Sequence, residues 1–368
     1  MPVWNRVTLV ERSIRCTLAQ TIPDLELVIT DNASTDGTWE LLQKIASEDA
    51  RIKLFRNDSN IGDVRNCARA VDEAKGQFGK FLFSDDLISP DFLEKTLPRL
   101  ADPEVGIVWT GAESFDTDSG AILGRFHTHN QDGLSSASFI RQTLGIDADP
   151  FGLHGPTTGM PNSPICALSR MSDVRHAWRK DVHGMGADTL FYLLTVAKYP
   201  RVAHVPEILS QFGSHPASYT VSSKADELAI RYRVAKTLFV DGPGRAFVSA
   251  KELARFNAES ELLCRKHNGA QYGIRSWRDF HASGVNPGEL DSEYLLPRLA
   301  DAIKERRAMH PDAQPSAEEE VLDQLALANA RNGILSQRLS SLVNPWTWLG
   351  WRLMPWTKPA WRKHPLDI

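Results

Sequence analysis

From residue 7 to about 110 the sequence switches repeatedly between two hydrophobic periods, and a chain patterned this way folds as an α/β domain around a mainly parallel sheet. Val7, Val10, Ile14 and Leu18 recur at helical spacing and lead into an apolar strand over 25–30 that runs out at Asp31. The turn-rich segment 32–37 follows, with Ser, Thr and Asp that suit the cap of a helix starting near Thr38. Next the pattern predicts a strand over 52–55, a loop over 57–62, a helix to about Ala74 and a strand over 81–83 ending on Ser84-Asp85-Asp86. Ligands of open parallel sheets bind beyond the carboxyl ends of the strands, so Asp31 and the Asp85–Asp86 pair are expected to face one crevice. A strand-end Asp ordinarily does no more than cap the next turn. Two such ends in one domain weigh against that reading for both.

The pattern becomes mixed from about 105 to 223, with strands near 105–110 and 163–169 and helices near 135–144 and from Asp188 to about Lys198. Leu190, Leu193, Leu194 and Ala197 share a face of the last helix, which makes Asp188 either its N-cap or a site residue. Beyond Tyr219 come long charged helical segments at about 225–238, 250–267, 290–308 and 317–340, jointed by Asp241-Gly242-Pro243-Gly244 and by Pro311 to Pro315. The expected divisions are 1–100, 101–223, 224–343 and a tail, 344–368.

Five of the ten tryptophans fall in that tail, Trp346, Trp348, Trp351, Trp356 and Trp361, interleaved with Arg352, Lys358, Arg362 and Lys363. Rings beside cations are the composition of a peripheral membrane contact. The same rings also suit burial against the chain's own domain or a partner protomer.

Composition narrows the partners. Lys+Arg 42 against Asp+Glu 46 gives a formal charge of −4, which supplies no clustered cationic excess for a nucleic-acid backbone, and nucleic acid is not an expected partner. Cys16, Cys67, Cys166 and Cys264 stand apart with no C-x-x-C pair, so neither a zinc knuckle nor a disulfide scaffold is expected. Charges interrupt the first fifteen residues where a signal peptide needs its apolar core, and no apolar run reaches the roughly 18 to 20 residues of a membrane span. A cytoplasmic protein is the expectation.

In order along the first 220 residues stand Pro2-Val3-Trp4-Asn5, the run from Ala19 to Thr38, Asn57 to Gly62, Arg65-Asn66, Ala74-Lys75-Gly76, Ser84-Asp85-Asp86, Pro90-Asp91-Phe92-Leu93-Glu94, Gly186-Ala187-Asp188-Thr189-Leu190 and Ser214-His215-Pro216-Ala217-Ser218. Each is weak alone, but the ordered set resembles the glycosyltransferases of family 2, which have the GT-A fold, a Rossmann-like mixed, mainly parallel sheet flanked by helices. The residues from 225 onward lie outside the resemblance and would form a C-terminal helical extension.

The resemblance implies an inverting transfer from a nucleotide-diphosphate sugar (UDP-, dTDP- or GDP-linked) to a hydroxyl of a glycan or lipid-linked saccharide, with Mn²⁺ or Mg²⁺ as cofactor. It places Trp4 against the nucleobase, Asp31 as the acceptor of a base hydrogen bond, and Pro2, Asn5, Asn60 and Arg65 around the nucleotide. Asp85 matches a ribose or phosphate contact and Asp86 the metal carboxylate, with His215 as a further metal or diphosphate ligand. Asp188 matches the general base. Asn162, Ser163 and Arg170 fall in the segment expected to face the acceptor. His127 and His129 form an H-x-H that would put two rings on one side of a strand, with no third ligand in view.

Two departures from the family pattern stand out. Phe83 occupies a place where the family usually has Asp, leaving Ser-Asp-Asp, and the first strand of the sheet, which should precede Pro2, is expected to be missing. A start upstream of Met1 or a destabilised chain would follow from the second. Those departures would suit a non-catalytic GT-A-shaped scaffold that binds nucleotide or glycan. A nucleotidyltransferase would want a Gly-rich basic loop near the N-terminus, which this sequence lacks.

Overall fold

The computed structural model describes residues 1–126, 133–147, 166–178, 186–218, 221 and 225–267. The chain divides into two compact units, Met1–Phe247 and Val248–Ile368.

The first unit opens with β1 (Pro2–Val3), α1 (Val10–Leu18), β2 (Leu27–Asp31), α2 (Thr38–Glu48), β3 (Ile52–Arg56) and α3 (Asp63–Glu73). The strands form a parallel sheet in the order β1-β2-β3, with Val3 paired to Asp31 and Asp31 to Arg56. Every residue of β2 is buried, as expected of a continuous apolar run lying between helical layers. Val10 and Ile14 of α1 and Leu42 and Ile45 of α2 supply the facing core.

The first strand, expected to be absent, is present as a short β1. Met1 extends the ladder: its amine donates to Val28 O at 2.7 Å, and its carbonyl accepts from Thr30 N at 3.0 Å. Burial pushes that amine down to about 5.

A second sheet follows, built from β4 (Phe78–Gly79), β5 (Leu87–Ile88), β6 (Val105–Asp116), β7 (Ile122–Phe126), β8 (Leu134–Ser135), β9 (Ala167–Arg170) and β10 (Arg201–Ser214). Its order is β4-β9-β6-β10-β5, with β7 added to β6 and β8 to β10. Only β6 and β10 run parallel; their register reaches from Arg201↔Val105 to Ser214↔Asp116. Around it lie α4 (Phe92–Thr96), α5 (Ser136–Leu144), α6 (Met171–Ala177) and α7 (Gly186–Val196).

The strand expected over 81–83 does not form. Phe81 and Leu82 are buried, but the ladder residues are Phe78 and Gly79, paired to β9. The Phe81 ring packs 4.4 Å from that of Trp178. Side-chain burial without strand pairing produces the same apolar run in a sequence.

The helix Ala225–Val240 packs against α7 with Tyr232, Ala235 and Phe239 buried, so the first unit extends past the division expected at 223/224. In the second unit the helix Ala250–His267 opens on a capping box: Ser249 N donates to Glu252 Oε2 at 2.8 Å and Glu252 N to Ser249 Oγ at 3.3 Å. Cys16, Cys67 and Cys166 are free thiols. Among the described residues no helix is long and apolar enough to cross a membrane. The segments 290–308 and 317–340, the Trp-rich tail, His127 and His129 lie outside the described residues.

Candidate functional site

The carboxyl end of β2 carries the first part of the site. Asp31 is fully buried, and one of its oxygens is occupied: Oδ2 accepts from Ser34 N at 3.1 Å and lies 3.3 Å from Arg56 Nε. That oxygen does the turn-capping that strand-end aspartates ordinarily do. The other, Oδ1, is buried with no hydrogen-bond partner. On the neighbouring strand end Trp4 is 50% exposed, although Met1 and Val3 just before it are buried. The backbone between the two is strained: Asn5 (φ 50°) and Ala33 (φ 58°) are the non-glycine residues with positive φ among those described. Asn5 N donates to Ser34 Oγ at 2.9 Å and Asn5 Oδ1 accepts from Thr35 N at 2.9 Å, fixing this turn.

A network of amides frames the same end of the sheet. Asn32 Nδ2 donates to Asn60 Oδ1, while Asn57 Nδ2 donates to Asn32 Oδ1 and Asn66 Oδ1, each at 2.9 Å. Asn66 Nδ2 returns to Thr30 O at 2.9 Å. Asn60 is thereby committed to shaping the loop that precedes α3, and Arg65 is exposed on the first turn of that helix.

The Asp85–Asp86 pair lies against the end of β10. Asp86 is buried and its Oδ1 accepts from Gly213 N at 2.9 Å; Asp85 Oδ2 is 3.0 Å from His215 Nε2. Gly213 is required there, because a Cβ would run into the Asp85 carbonyl oxygen. Burial first, then the adjacent Asp85 charge, push the Asp86 carboxyl well above the ordinary range, against the pull of Gly213 N–H and Lys80. Among the described residues no three His, Cys, Asp or Glu converge as a complete metal cage. The donor set instead fits a hard divalent cation that takes one or two carboxylates from the protein and the rest of its shell from water and phosphate oxygens. Arg6 ties this part to the first, donating from Nη1 to Asn5 O at 3.0 Å and from Nη2 to Ala217 O at 3.4 Å.

Asp188 is the third residue of α7, inside the helix rather than its cap. Burial, reinforced by the charge of Asp63 at the start of α3, pushes its carboxyl up to about 8. Its own charge acts in turn on Cys67, one turn along α3 from Asp63.

Arg170 is placed elsewhere. Its guanidinium donates to the carbonyls of Val105, Leu100 and Asp102 and stacks 5.2 Å from the Tyr199 ring. Val105 is the first residue of β6, the end opposite Asp116 and the His215 loop, so Arg170 fastens the far end of the sheet and does not join the other candidates. Asn162 and Ser163 lie outside the described residues. The hydroxyls of Thr117, which the sequence did not single out, and of Ser218, the last residue of the Ser214–Ser218 motif, are buried without a hydrogen-bond partner.

A parallel first sheet, a mixed second sheet and carboxylates at the strand ends define a GT-A fold. Residues 1–160 of this chain match the family described as glycosyl transferase family 2. It is 30% identical over 143 residues to the Bacillus subtilis glycosyltransferase TuaG, named for teichuronic acid biosynthesis, covering 39% of this chain and 56% of the relative. A Campylobacter jejuni GalNAc(5)-diNAcBac-PP-undecaprenol beta-1,3-glucosyltransferase is 36% identical over 87 residues, 23% of this chain and 28% of that one. The chondroitin synthase of Pasteurella multocida is 30% identical over 129 residues, 34% of this chain and 13% of that one. The chain thus spans little more than half the length of these relatives, or less. S. aureus TarS 1-349, solved in complex with UDP-GlcNAc, superposes with a TM-score of 0.53 at 14% identity, covering 90% of both chains, which is a likeness of fold.

Proposed function

We propose that this chain is an inverting glycosyltransferase that moves a sugar from a nucleotide-diphosphate sugar to a hydroxyl of a glycan or lipid-linked saccharide. The observation that carries the reading is the unpartnered, fully buried Oδ1 of Asp31 next to the exposed ring of Trp4. An acceptor left without a donor in the interior costs about 1–3 kcal/mol, and the ring N–H of a uracil, thymine or guanine offsets that cost on binding. Trp4 supplies a stacking face for the same base, and Pro2, Asn5, Asn60 and Arg65 shape or border its pocket.

In this reading Asp85 contacts ribose or phosphate, and Asp86, with His215 beside it, holds Mn²⁺ or Mg²⁺. The cation neutralises charge on the departing nucleoside diphosphate. Asp188 takes the proton from the acceptor hydroxyl as its oxygen attacks the anomeric carbon from the face opposite the leaving group. A carboxyl raised to about 8 is a far stronger base than an ordinary aspartate, which suits a proton that is hard to remove. The polysaccharide-building relatives support a cell-surface glycan as the product. The enzyme works in the cytoplasm, and residues 344–368 give it a peripheral hold on the inner membrane face.

The test is calorimetric titration with UDP, GDP and dTDP, each with and without Mn²⁺. Binding of one nucleotide, strengthened by the metal and lost in Asp31→Ala, is the expected result. A chain that binds none of the three overturns the donor site.

A further inference from the structure

Thr117 Oγ1 and Ser218 Oγ are buried and without a hydrogen-bond partner, in residues only 8% and 6% exposed. Both residues are fastened to the segment that holds the two aspartates. Thr117 N donates to Ser214 O at 3.0 Å, and Ser218 N donates to His215 O at 2.9 Å. Between those carbonyls and the aspartates there is one step: Gly213 N holds Asp86 and His215 Nε2 holds Asp85. The methyl of Thr117 also lies against Gly213. The contact of Arg6 with Ala217 draws the same loop toward the turn that carries Trp4. Other orphaned hydroxyls, such as those of Ser13, Ser136, Ser169 and Thr195, belong to α1, α5, β9 and α7 and have no such link to the aspartates.

A buried hydroxyl with no partner destabilises the fold, and an apolar isostere would remove the penalty. These two therefore answer to a partner that arrives with the ligand. We infer that Thr117 and Ser218 are diphosphate-binding residues whose hydroxyls donate to oxygens of the β-phosphate of the bound nucleotide. The β-phosphate is assigned because the base occupies the Asp31 end and the hydroxyls sit at the Asp86 end. The inference rests on the donor-site reading above.

The experiment is titration of the full chain and of Thr117→Val, Ser218→Ala, Thr117→Ser and Ser218→Thr. The probes are the diphosphate that the wild type binds among UDP, GDP and dTDP, and the matching monophosphate. Thermal midpoints are measured without ligand. Each apolar variant is expected to bind the diphosphate about tenfold more weakly, the worth of one charge-assisted hydrogen bond. Monophosphate affinity should not change, the midpoint should hold or rise, and the two hydroxyl-keeping variants should bind like the wild type. Unchanged diphosphate affinity, equal loss of both nucleotides, or a lowered midpoint overturns the inference while leaving the donor site standing. A wild-type chain that binds none of the diphosphates overturns the donor site, and this inference with it.

Discussion

The end of β2 and the first turn of α7 each present one aspartate, and the two are treated in opposite ways. Asp31 has a guanidinium 3.3 Å away and a backbone N–H on one oxygen, so the fold occupies that oxygen and leaves the second without a partner. Asp188 receives no such help; burial and the Asp63 charge both oppose its ionisation. On the proposed reading, one site holds a hydrogen bond and the other holds and releases a proton. The side chain is the same, and the neighbours decide its use.

The largest expected effect comes from Asp188→Asn. Turnover should fall by about 10² to 10⁴, the usual worth of a general base, with nucleotide affinity unchanged. The same variant should be more stable than the wild type at pH 8. Between the ordinary value of 3.8 and about 8, the folded chain keeps a proton on Asp188 that the unfolded chain has lost, so stability falls as pH rises through that window. A variant of ordinary turnover, or one destabilised at pH 8, breaks the contrast. Next comes Asp31→Ala, which should weaken nucleotide binding by about 10- to 100-fold with little change in the pH profile of turnover. Equal effects of the two substitutions on binding would erase the distinction.

Arg170→Ala should cost stability, about 2 kcal/mol for hydrogen bonds to three carbonyls, while kcat/KM stays near wild type below the melting range. Loss of acceptor affinity at full stability would return Arg170 to the acceptor site. The smallest expected change is in Asp63→Asn. The wild-type pH–rate profile should rise through a limb near 8, and this variant should move the limb to lower pH. An unmoved limb would assign the shift to burial alone.

Much of this was legible in the sequence because strands and helices of the first sheet are punctuated locally. The run at β2 and the capping residues after Asp31 place that carboxylate without tertiary knowledge, and Leu190, Leu193 and Leu194 mark α7. Asp188 could be placed near a helix start but not inside the first turn, since boundaries read from pattern shift by a residue or two. Residues 81–83 read as a strand because an apolar run reports burial, and pairing is decided by whichever backbone lies alongside. Arg170 was misleading for a similar reason: a guanidinium reveals its five donors in sequence but not the carbonyls that occupy them. Thr117 had no signal and Ser218 only its place in a motif, because a hydroxyl becomes noteworthy only once the fold has buried it and withheld a partner.

The frame around the base end is made of Asn32, Asn57, Asn60 and Asn66, joined amide to amide. Carboxamides have no proton to gain or lose across the physiological range and no net charge for salt to screen. If this end selects the base as proposed, the amide part of its frame should hold its shape while acidity and ionic strength vary around it, leaving the Asp188 end to register those changes.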